Sequence, residues 1–167
     1  MASPLEIRAQ DVLRAWAHGL VTADAVVSWA DSTITESDAP GALPDWLYSL
    51  SAKGPERCQD LPYSEFAFEW PASDFREDFL VALSKTDLRS RPDLEGFIRV
   101  AMQCMGEDLD APEVRFGYQL DHLVCDCQDM EGALEYAREE LPKFVPQARA
   151  LRARLMAAAA LGDGEGP

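Results

Sequence analysis

At 167 residues, 47% hydrophobic and 27% charged, the chain has the size and composition of one globular domain with a proper core, which excludes disorder of the whole. Thirty acidic residues against fifteen basic ones give a net charge of −15, a field that repels phosphate backbones and anionic lipid heads and favours basic partners. An acidic surface also serves solubility alone.

Leu5, Ala9, Val12, Leu13, Trp16 and Leu20 recur at helical spacing and predict a first helix ending near Gly19. Thr22 caps a second helix that carries Val26, Trp29, Ala30 and Ile34. Thr35 to Gly41 reads as a loop, and Pro44 suits the first turn of a short helix presenting Trp46, Leu47 and Leu50. The polar stretch Lys53 to Pro62, punctuated by Gly54 and Pro55, reads as an irregular connection. Phe66, Phe68 and Trp70 alternate with polar or small residues as in a short strand.

Asp74 and Glu77 have the spacing of a capping box ahead of a helix bearing Phe75, Phe79, Leu80 and Leu83. Pro92 opens a helix with Leu94, Phe97, Ile98, Ala101 and Met105 on one face, stopped by Gly106. After Pro112 the pattern fits either a strand or a helix, and its continuation to Cys127 favours the helix. Met130, Ala133, Leu134, Ala137 and Leu141 mark another helix broken by Pro142, and a last one runs from about Val145 to the Ala157–Ala160 run. The expected fold is all-α: one bundle of six to eight helices over residues 1–161, with room for one or two short strands, and a disordered tail over 162–167.

No apolar run approaches the roughly 20 residues that span a bilayer, and residues 1–10 lack the apolar region of a secretory leader. Four unevenly spaced cysteines make no disulfide framework, so a reducing, cytoplasmic setting is expected.

The common hydrolase, phosphate-loop, dinucleotide and zinc-protease motifs are missing, and only His18 and His122 offer an imidazole. No enzyme activity and no cofactor is therefore expected. His122, Cys125 and Cys127, completed by Cys58 or Cys104, have the right atoms for zinc. Residues two apart on a helix diverge, however, and buried free thiols are the plainer reading, so no metal is expected. The neighbouring carboxylates Glu139 and Glu140 diverge likewise and read as a solvated face.

Acid is unevenly spread: residues 106–140 hold eleven acids against Arg115 and Arg138 alone. Glu131, Glu135 and Glu139 fall four apart and line one helix face, where like charges oppose one another. With Asp126 and Asp129 they form a candidate surface for a basic protein, although a plain solvated helix has the same pattern. Trp16 and Trp29 belong to apolar stripes. Trp46, on its short helix, is a candidate interface anchor, with a core position as the plainer reading.

Val26-Val27-Ser28-Trp29-Ala30-Asp31, followed by Pro44-Asp45-Trp46-Leu47-Tyr48-Ser49-Leu50-Ser51, resembles the N-terminal part of small bacterial helical immunity proteins found beside polymorphic toxins. That resemblance implies an acidic cytoplasmic inhibitor, not an enzyme, that blocks a toxin by direct contact, and it carries no site residues with it. Self-association through the apolar C-terminal helix, giving an adaptor, structural subunit or homodimer, is the competing expectation.

Overall fold

Ser3 opens the first helix by a reciprocal device: its hydroxyl accepts from the Glu6 backbone at 3.2 Å while the Glu6 carboxylate accepts from the Ser3 backbone at 2.6 Å. A computed structural model describes residues 3–72, 74–103, 106 and 108–160. Among them are nine α-helices and no strand: α1 Pro4–Ala17, α2 Ala23–Thr35, α3 Asp45–Gln59, α4 Tyr63–Phe66, α5 Phe75–Lys85, α6 Arg91–Gln103, α7 Pro112–Asp121, α8 Met130–Glu140 and α9 Val145–Ala159. The all-α expectation holds. No helix among the described residues is long and apolar enough to cross a membrane.

The described residues divide into two compact units, one formed by those within 3–72 and 153–160 and the other by those within 74–152. Buried apolar side chains gather in two clusters, one in each unit. Fully burying a side chain the size of leucine or phenylalanine contributes about 1.5–3 kcal/mol, so each cluster is a substantial source of stability.

In the first unit, α1 stops where expected. Gly19 adopts φ 62°, and Leu20 N–H returns to the Ala15 carbonyl at 2.8 Å, the closure that a left-handed residue after a helix permits. Thr22 caps α2 by accepting from Ala25 N–H at 3.2 Å. The connection expected over Lys53 to Pro62 is mostly helical instead. Gly54, at φ 75°, breaks α3 into two pieces, and Pro55 begins the second with a ring already set for a helical first turn.

The expected strand is likewise absent. Phe66 closes the single turn α4, Ala67 turns left-handed at φ 36°, and Phe68 continues into irregular chain. Alternation there reflects burial on an irregular segment: Phe66 and Phe68 are buried, and Phe66 stacks on Trp70 at 5.6 Å. Trp46 joins this group with its ring 4.7 Å from Phe68. The last residues of α9 complete the unit, Ala158 and Ala159 packing against the same cluster and Arg8 donating to the carbonyls of Ala158 and Ala160 at 3.1 Å each.

In the second unit, Asp74 caps α5 by accepting from Arg76 N–H at 2.9 Å. Phe79 is the centre of the core and meets Phe97, Phe116 and Phe144 edge-on at 5.3, 5.7 and 5.3 Å. The ambiguous segment after Pro112 is helical, burying Val114, Phe116 and Leu120. Its continuation is not α-helical. Residues His122–Asp126 form a π-helical turn, closed by Cys127 N–H to the His122 carbonyl at 3.0 Å. The sequence positions Met105 and 162–167 lie outside the described residues.

Candidate functional site

Asp129 begins α8 by accepting from Gly132 N–H at 2.8 Å, so its carboxylate is committed to the helix cap. Glu131, Glu135 and Glu139 are all exposed along the helix, as their spacing predicts. They are not equivalent. Arg91 of α6 reaches Glu131 with two guanidinium nitrogens, one at 3.2 Å and one closer, and holds Glu95 through Nε at 2.8 Å. At Glu131 the like charge is balanced, because α6 brings an arginine from 40 residues earlier in the chain. Glu135 and Glu139 have no hydrogen bond or ion pair among the described residues.

Next to Glu139, Glu140 binds Lys143 at 2.5 Å, and that hydrogen bond pushes the lysine ammonium above its ordinary value. Glu140 and Lys143 rim a groove of about 480 Å³ between α7, α8 and the start of α9. Its floor is aromatic. Tyr136 stacks on Phe116 at 5.4 Å, Phe116 meets Phe144 at 5.9 Å, and Arg115 stands at the edge. Burial, followed by the charge of Glu140, raises the Tyr136 phenol above its usual range. The arrangement is an aromatic slot bordered by both signs of charge, with Glu139 close enough to act on both Tyr136 and Lys143.

Among the other anticipated contact residues, Trp46 is corrected: at 4% exposure it is a core residue and presents no anchor at the surface. The short helix that carries it is amphipathic, and the aromatic side lies inward against Phe68. Asp126 is exposed but bonded, its Oδ2 lying 2.9 Å from His122 Nδ1.

The thiols divide as well. Cys58 is buried, with Sγ donating to the Ser49 carbonyl at 3.4 Å, and burial raises its thiol above the usual value, as expected of a small apolar residue. Cys125 and Cys127 are exposed, which corrects the reading of them as buried. The π turn is the reason: it keeps Leu123 and Val124 against the core and turns the cysteines outward. Cys125 donates to Asp121, a bond that raises its thiol, while Cys127 Sγ lies 3.6 Å from His122 Nε2. Cys104 lies outside the described residues. Among the described residues no three His, Cys, Asp or Glu side chains are placed to hold a metal ion.

Two residues had no sequence signal. Glu113 lies in the first turn of α7, where acids are common, yet it is buried and bound to Arg76. Arg91 is one of several bases on exposed helix positions. Searches against family models, curated proteins and solved structures found no match to the chain.

Proposed function

We propose that the chain acts in the cytoplasm by binding a basic protein, as an immunity or inhibitor protein that neutralises a cationic toxin by contact. One observation carries this reading: Glu135 and Glu139, one turn apart on α8, stand exposed without an ion-pair partner among the described residues, on the helix that also supplies Tyr136 to the aromatic slot. Like charges at that spacing weaken the isolated helix by a few tenths of a kcal/mol, a cost that a cationic partner converts into attraction. The groove beside them, lined by Tyr136 with Arg115, Glu140 and Lys143, offers a partner one aromatic ring among charged groups.

Self-association through α9 has less support, since Ala148, Leu155 and Ala159 are already buried within the chain. Co-expression with the product of the adjacent gene, followed by gel filtration at low salt, tests the inhibitor reading. Complex formation and protected growth are expected, with association of a Glu135→Lys/Glu139→Lys variant slowed by about tenfold. No complex and no protection would overturn it.

A further inference from the structure

The end of α7 holds a second constellation, separate in its residues from the acidic helix face. His122 is contacted on both sides of its ring, by Asp126 Oδ2 at 2.9 Å from Nδ1 and by Cys127 Sγ at 3.6 Å from Nε2. A neutral imidazole has one N–H, and a carboxylate can only accept. The N–H therefore belongs on Nδ1, and the Nε2 lone pair faces the thiol. Nucleophile, base and orienting carboxylate thus follow in sequence contact, the logic shared by activated-thiol sites.

This geometry depends on the π turn. In an α-helix, residues five apart lie about 140° apart around the axis, and Cys127 would face away from His122. The widened turn, fixed by Cys127 N–H to His122 carbonyl at 3.0 Å and by Asp129 N–H to Leu123 carbonyl at 2.9 Å, stacks them. Gln128 ends the turn in the left-handed region at φ 55°, an uncommon conformation for a residue other than glycine. His122 and Asp126 are 57% and 69% exposed and Cys127 is exposed, so a small reagent has free access. Cys125, two residues away and also exposed, keeps its proton in a hydrogen bond to Asp121 and meets no imidazole among the described residues, which makes it an internal reference.

We propose that Cys127 is a modification site oxidised by hydroperoxides, with His122 as its base and Asp126 as the positioning residue. His122 Nε2 takes the Sγ proton. The thiolate attacks the nearer peroxide oxygen, an S–O bond forms as the O–O bond breaks, and sulfur loses the two electrons that the peroxide gains. His122 returns the proton to the departing oxygen, which leaves as water or an alcohol. The product is Cys127 sulfenic acid, one thiol and one hydroperoxide having given one sulfenic acid and one hydroxyl compound.

Limiting hydrogen peroxide with dimedone trapping, read cysteine by cysteine by peptide mass spectrometry on the intact chain, tests this. Cys127 is expected to label about tenfold faster than Cys125 in the same molecule, a modest share of what a positioned base supplies. His122→Gln should bring Cys127 down to the rate of Cys125 without altering Cys125, and Asp126→Asn should slow it while Asp126→Glu restores part of the rate. Equal labelling of the two cysteines in the unmodified protein overturns the proposal without any variant. A Cys127 rate unchanged in a folded His122→Gln variant overturns it as well.

Discussion

The carboxylate of Glu113, 1% exposed in the first turn of α7, is held by Arg76 Nε at 2.9 Å, while the arginine remains 52% exposed. Its other oxygen, Oε2, is buried without a hydrogen-bond partner among the described residues. Arg76→Ala leaves a buried acid unpaired and should lower stability by roughly 2 kcal/mol, less than the loss from a wholly buried pair because water reaches the arginine side. Replacing both residues by methionine should recover most of that loss. Urea denaturation of the single and double variants measures it.

Phe79 is fully buried among three other phenylalanine rings. Phe79→Ala should cost about 3–5 kcal/mol, and Phe79→Leu distinctly less, since the smaller change leaves a smaller cavity. Trp46→Ala should show a comparable loss of stability. Because its ring is against Phe68, its effect on partner binding should disappear once unfolded protein is accounted for.

Gly132 and Asp129 are coupled at the start of α8. A Cβ on residue 132 would come within 2.3 Å of Asp129 Oδ2, so Gly132→Ala should displace the cap it is meant to leave alone. Asp129→Ala should cost about 1 kcal/mol, and the double variant little more than either single one. Thermal melts of the three variants distinguish this from independent effects.

Burial raises the Cys58 thiol, with Lys53 acting weakly the other way. A raised value means that the folded state favours the neutral thiol. This contribution to stability is complete below the ordinary thiol value and is lost as pH rises through the folded one. Cys125, raised by Asp121, adds in the same direction. Urea midpoints should therefore fall as pH rises above the ordinary thiol value of about 8.5, and less steeply in Cys58→Ala.

Helical stripes, the stop at Gly19, the Thr22 cap and the ambiguous segment after Pro112 were legible because each depends on neighbours within two turns. Features that depend on partners distant in the chain were not. Nothing near Glu131 reveals that Arg91 will meet it, and Glu113 looks like any acid in a first helical turn. Phe66 and Phe68 alternate as strand residues do, yet burial alone set the pattern on a stretch where Ala67 turns left-handed. The spacing of His122 and Asp126 was readable as one helical turn. The π turn that brings Cys127 to the same ring was not, since it adds one residue within His122–Asp126, a stretch with no glycine or proline to mark it.

The two units differ in how their residues are strung along the chain, and this sets the order in which they can close during synthesis. Residues 74–152 belong to one continuous stretch, so the three rings around Phe79 are all present once Phe144 has emerged. Residues 3–72 need Ala158 and Ala159, and the carbonyls that Arg8 holds, about 90 residues beyond Trp70. Closing that loop carries the larger entropic cost. The segment translated first is thus the one that finishes last, and until α9 is complete its aromatic group from Trp46 to Trp70 is the part of the nascent chain most in need of protection.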